Sequence, residues 1–133
     1  WHFGGQRYHN LFVDANFIQS FHKDTGMRVC LDVSHSKLAC NHLDASFSEF
    51  LKKILPFTAH LHLADAQGVD GEGLQIKDGE IDWTELFNLI NAHCPNASFI
   101  PEIWQGHKNR GEGAWIALER LENYSLATRT NLK

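Results

Sequence analysis

Three short segments put residues able to ligate metals or move protons where a strand would end. Leu31-Asp32-Val33-Ser34-His35 and His60-Leu61-His62-Leu63-Ala64-Asp65 each close an apolar run with carboxylate and imidazole groups. Phe99-Ile100-Pro101-Glu102 closes a third run with a carboxylate. Function in parallel α/β proteins collects at the C-terminal ends of strands, so Asp32, His35, His62, Asp65 and Glu102 are candidates for one site at the mouth of an α/β barrel. A mixed oxygen and nitrogen donor set suits Mn²⁺, Mg²⁺, Co²⁺ or Zn²⁺ without choosing among them. No thiolate is placed to join it, which speaks against a closed structural zinc site. Taken singly, each residue has a plainer role: a strand-end Asp caps the next turn, and a strand His is a hydrogen-bonded, half-buried residue. Their coincidence at one rim is what points to metal.

His60 and His62 share a face, because alternate residues of a strand do. Only one need bind metal; His62, nearer the strand end, is the better candidate, and His60 is read either as a donor that supports a ligand or, by default, as a barrel-core residue. Asp65 suits orienting an imidazole or binding a substrate hydroxyl. Gln105 to Arg110, Gln-Gly-His-Lys-Asn-Arg, precedes a helix N-terminus, so His107 and Lys108 are candidates for holding an anionic substrate group. A solvated loop is the plainer alternative there.

The elements that must position these groups are legible from periodicity. Asp14 to Lys23 is predicted as a helix with Asp14 as N-cap, Val13, Phe17, Ile18 and Phe21 on one face, and Gly26 closing the segment. Arg28 to Val33 follows as a buried strand, with Cys30 as a small core residue. Ser46 to Leu55 carries the stripe Phe47, Phe50, Leu51, Ile54 and a capping-box spacing of Ser46 to Glu49. Pro56 stops it, and Ala59 to Leu63 is the next strand. Ala66 to Glu80 is a Gly- and Asp-rich loop. Helix resumes from Asp82 to about His93, Ser98 to Ile103 is a third strand, and Gly111 to Leu121 a last helix, with a frayed tail after Tyr124. Trp83 and Trp115 fall on helical apolar stripes. The α-β-α-β-α-β-α order implies parallel strands with helices between them. Three such strands leave raw edges that native sheets cover or pair, so an oligomer or a longer chain is expected.

With 133 residues, the chain is read as a single domain over 1–133, long enough to bury about two-thirds of its unfolded surface. A formal charge of −4 without a long Lys or Arg run argues against a nucleic-acid footprint. The three cysteines form no CxxC pair, which fits a cytoplasmic setting better than secretion. No apolar run reaches membrane-spanning length. The first residue is Trp1 rather than Met, so a piece of a longer protein is expected.

Asp32-x-x-His35, His62-x-x-Asp65, Gly79-Glu80-Ile81-Asp82-Trp83 and the strand-terminal Glu102 resemble the xylose isomerase-like barrel superfamily. That group includes sugar (phosphate) isomerases and epimerases, hydroxypyruvate isomerases and the endonuclease IV type of DNA-repair enzyme. The resemblance implies a partial (β/α)8 TIM barrel, about its last three parallel strands with their helices. It makes Asp32, His62 and Glu102 ligands of a divalent metal, His35 a contact to a substrate oxygen, and Glu102 also an acid/base. The family's second catalytic Glu ends the preceding strand, a position that falls at or just before Trp1. The Arg often found six residues after the metal His is replaced by Gly68. Gly71-Glu72-Gly73-Leu74-Gln75-Ile76 is similar to the isomerase-like C-terminal region of some N-acylneuraminate (sialic acid) synthases.

The implied activity is isomerisation or epimerisation of a sugar or sugar phosphate by proton transfer next to a carbonyl, with the isolated segment inactive alone. The alternatives are a non-catalytic sugar- or metal-binding domain and, less well supported, DNA repair. The acidic balance, and the absence of His between Leu63 and Trp83, count against the last.

Overall fold

The computed structural model describes residues 2–3, 6–7 and 12–130, with side chains described for 12–124. A short antiparallel pair, β1 (His2–Phe3) and β2 (Gln6–Arg7), precedes α1 (Ala15–Thr25), β3 (Val29–Asp32), α2 (Val33–His42) and α3 (Phe47–Ile54). A 3-10 turn (Leu55–Phe57) leads into β4 (Thr58–Leu63), β5 (Asp65–Gln67), β6 (Gly71–Leu74), α4 (Trp83–His93), β7 (Ser98–Pro101) and α5 (Lys108–Thr130). The central sheet has three parallel strands in the order β3-β4-β7. This is the expected partial barrel: alternating strands and helices, with each return to the sheet made through a helix.

Local chemistry sets the boundaries. Asp14 caps α1 by accepting the Phe17 amide at 2.8 Å, and Gly26 ends it in the left-handed region at φ 70°. Ser46 accepts the Glu49 amide at 3.3 Å to start α3, and Asp82 accepts the Thr84 and Glu85 amides, both at 3.0 Å, to start α4. Leu31, Leu61 and Leu63 turn one sheet face toward the helices, where Ile18, Phe50, Leu51, Ile54, Leu86, Ile90, Ala117 and Leu121 complete the core. By alternation the opposite face carries Cys30, Asp32, His60, His62, Ser98 and Ile100.

Four expectations are corrected. The chain enters a helix, α2, directly after Asp32; its buried residues Val33, Ser34, Leu38 and Cys40 make no regular stripe, so periodicity did not reveal it. The expected loop over 66–80 contains the β5–β6 antiparallel hairpin. Cys30 is exposed rather than in the core, because it sits on the sheet face away from the helices. Trp115 is 69% exposed while Trp83 is buried at 2%. The α5 backbone extends to Thr130, and the side chains of the tail expected to fray after Tyr124 lie outside the described residues. No helix among the described residues is long and apolar enough to cross a membrane.

Candidate metal centre

Register brings the site together. Asp32 on β3 pairs with His62 on β4, and His62 pairs with Ile100 on β7, two residues before Glu102. The pairing continues past β7, since the Glu102 amide donates to the Leu63 carbonyl at 2.9 Å. Asp32, His62 and Glu102 thus come from three adjacent strand ends, and one ligand atom from each lies within 4.8 Å of the others. His62 Nδ1 is 2.6 Å from Glu102 Oε2. Two carboxylates and an imidazole that converge in this way fit one divalent cation of hard or borderline character.

Asp32 also caps α2, with Oδ1 accepting the His35 amide at 2.8 Å. Its Oδ2 lies 2.6 Å from His35 Nδ1. The far side of that imidazole, Nε2, is 2.9 Å from Glu72 Oε2. Burial disfavours the charged Asp32, but the bonds from the His35 ring and amide outweigh it and hold the carboxyl below its usual value. For His35 the Asp32 hydrogen bond dominates; burial opposes it, and the Glu72 carboxylate adds to it, so the imidazole is pushed up to about 9. His35 is therefore an imidazolium at neutral pH, bridging two carboxylates.

Glu72 escaped the sequence reading because it stands in a glycine-rich stretch without periodicity. Its backbone is firmly placed. The Gly73 amide donates to Ser34 Oγ at 3.0 Å, the Ser34 hydroxyl donates to the Asp65 carbonyl at 3.1 Å, and the Trp104 amide donates to the Gly73 carbonyl at 2.7 Å. Gly73 has φ +64°, and a Cβ there would lie 3.1 Å from the Trp104 nitrogen, so only glycine serves at this crossing. A Gly-x-Gly around an acidic residue, at strand-pairing distance from a strand-end Asp, was the signal available.

Asp65 has a different job from the expected substrate contact. It is fully buried at 0%. Its carboxylate accepts the amides of Ala66 (2.8 Å), Lys77 (3.0 Å) and Ile81 (3.1 Å) and the Trp83 indole N–H (2.7 Å). Those donors occupy both oxygens, so Asp65 organises the segment between β6 and α4 and offers nothing to a ligand.

His107 and Lys108 are exposed at the start of α5, where Lys108 Nζ donates to Gln105 Oε1 at 3.0 Å. Asn109, Arg110 and Gly111 follow in left-handed conformation, at φ 51°, 63° and 84°, so their amides do not align as a regular helix N-terminus does. Neither residue bonds to the Asp32–His62–Glu102 group among the described residues. His60 is half-buried, with Nδ1 2.8 Å from Ser98 Oγ. Cys30, for which no place was expected near a metal, has a ligand atom within 4.8 Å of those of His60 and His62. Burial, then the charges of Asp32 and Glu102, push its thiol up. A cavity of about 640 Å³ lies against β3, with Cys30, Asp32 and His35 on its wall, a size that accommodates a small molecule.

The fold agrees with one comparison against known proteins. The profile described as xylose isomerase-like TIM barrel matches residues 5–124. No curated protein and no solved structure matches the chain. The finer likeness to N-acylneuraminate synthases has no support from these comparisons. A profile that spans nearly the whole chain, on a parallel sheet whose strand ends deliver Asp, His and Glu side by side, places the protein: it belongs to the xylose isomerase-like TIM barrel family.

Proposed function

We propose that this chain is part of a metal-dependent isomerase or epimerase that acts on a sugar or sugar derivative by proton transfer next to a carbonyl. One observation carries the reading: the convergence of Asp32, His62 and Glu102, with ligand atoms within 4.8 Å, at three neighbouring strand ends. A divalent ion held there would polarise the carbonyl and adjacent hydroxyl oxygens. Glu102 is the candidate acid/base. Its side chain is 52% exposed, so a carboxylate oxygen not committed to the metal can take a proton from carbon and return it. His35 supplies a hydrogen-bond donor, but its Nε2–H points at Glu72. A substrate oxygen bonding to it must therefore replace the Glu72 carboxylate. With Asp32, Glu72 and Glu102 around two imidazoles, hydroxyl groups suit this rim better than a phosphate does.

Solvent exchange tests the reading. The full-length protein, loaded with Mn²⁺ in D₂O and given a panel of aldoses and ketoses, should incorporate deuterium at the carbon beside the carbonyl, detected by NMR. Glu102→Gln should slow that exchange by about 10²-fold or more and leave Mn²⁺ binding measurable. Metal binding without exchange in any sugar would instead favour a non-catalytic sugar- or metal-holding domain.

A further inference from the structure

One layer deeper on the same open sheet face, a different donor set lies beside the first. Cys30 and His60 are register partners on β3 and β4, two residues before Asp32 and His62 respectively. One ligand atom from each of Cys30, His60 and His62 lies within 4.8 Å of the others. The His60 and His62 rings meet edge to face, with centroids 5.4 Å apart. Cys30 is exposed and the two histidines are half-buried, so solvent reaches the group. His60 is held from the next strand: its Nδ1 lies 2.8 Å from Ser98 Oγ, the kind of second hydrogen bond that orients a metal-binding imidazole.

Sulfur with two nitrogens is chemically distinct from the oxygen-rich set above it. Thiolate and imidazole favour Zn²⁺, Co²⁺ or Cd²⁺ over Mg²⁺ and Mn²⁺, whereas the two carboxylates with one imidazole suit the harder ions. Three protein ligands with a position open to solvent are enough for a zinc-type site. We propose that Cys30, His60 and His62 form a second, thiolate-containing metal site for a soft or borderline divalent ion, which competes with the Asp32–His62–Glu102 set for His62. On binding, the sulfur–hydrogen bond of Cys30 is replaced by a sulfur–metal bond and the proton passes to solvent. The competition, though not the site itself, rests on the metal reading of Asp32, His62 and Glu102.

Co²⁺ titrated into the reduced full-length protein reads the sulfur site directly, through its thiolate-to-metal charge-transfer absorption. The band should saturate near one equivalent, vanish in Cys30→Ser, and require at least about tenfold more Co²⁺ in His60→Ala. It should persist in Cys40→Ser, Cys94→Ser and Glu102→Gln. No band in the wild type, a band that survives Cys30→Ser, or an unchanged titration in His60→Ala would overturn the site. The free-Mn²⁺ EPR signal tests the competition: one equivalent of Cd²⁺ should weaken Mn²⁺ binding at least about tenfold in the wild type and not in Cys30→Ser. Unchanged Mn²⁺ affinity would overturn the sharing of His62. If Mn²⁺ does not bind even without Cd²⁺, the carboxylate set fails as a metal site, and the cobalt band alone decides the sulfur set.

Discussion

Held between Asp32 at 2.6 Å and Glu72 at 2.9 Å, the His35 imidazole titrates at about 9, above the roughly 6.5 of an unfolded chain. A folded value above the unfolded one means that its protonated form stabilises the fold. That contribution is full below about pH 6.5 and is lost as pH rises through about 9. Asp32 works in the opposite sense: its folded value is depressed, so its contribution is lost only as pH falls through that lowered value. In metal-free protein, the urea-midpoint difference between wild type and His35→Gln should therefore be largest between these limits and shrink above about pH 9. A difference that stays constant across that range would contradict the two-carboxylate bridge. Asp65 makes a separate residue-scale prediction. Replacing it with Ala strands three buried or half-buried amides and an indole N–H, and should cost about 3 kcal/mol or more in urea unfolding. Asp32, His62 and Glu102 were legible because each ends an apolar run. Asp65 ends such a run too, and nothing in the sequence distinguishes a carboxylate facing a ligand from one buried under a loop.

At the scale of elements, α2 explains both a success and a failure of sequence reading. Asp32 is a strand end, a candidate ligand and the N-cap of α2, so the helix begins where the site does and its start signal is hidden inside the motif. This dual role separates two substitutions. Asparagine caps a helix as well as aspartate does but carries no charge to pair with the His35 imidazolium, so Asp32→Asn should weaken Mn²⁺ binding and lose the ion pair while keeping the cap. Asp32→Ala should lose the cap too, and be less stable than Asp32→Asn by about 1 kcal/mol, seen by calorimetry beside chemical unfolding. Equal stability of the two variants would show that the cap contributes nothing. The β5–β6 hairpin escaped for a different reason: Gly68, Gly71 and Gly73 give no alternating pattern, and its pairing depends on turn geometry and on the distant Trp104 and Ser34. Register was not read from the sequence, although the patterning constrains it: a one-residue slip of β4 would turn Leu61 and Leu63 away from the core.

For the molecule as a whole, the helices cover one sheet face while the other carries the chemistry, and among the described residues β3 and β7 each pair on one side only. Phe99 and Ile100 on β7 are both 45% exposed. An apolar, half-paired sheet of this kind associates. The 133-residue chain on its own is expected to sediment as an oligomer, or to need further protein to stay monodisperse, and a stable monomer at high concentration would contradict this. The sequence carried the parallel α/β order because helix and strand periodicities alternate cleanly. What covers the open face is a matter of contacts that a local pattern does not encode.

Gly73 joins the two ends of this arrangement. Its amide reaches Ser34, two residues past Asp32, and its carbonyl receives Trp104, two residues past Glu102. The outer strands of the three are thereby tied together across β4 by the two peptide groups of one residue. They cannot spread apart around His62 without breaking a hydrogen bond. The hairpin thus acts as a caliper on the gap between the two carboxylates, and for a metal held as proposed that gap would set which ionic radius is accepted. Cutting the hairpin back to a short turn should flatten the ratio of Mn²⁺ to Ca²⁺ affinity, and an unchanged ratio would show that the strands hold their spacing unaided.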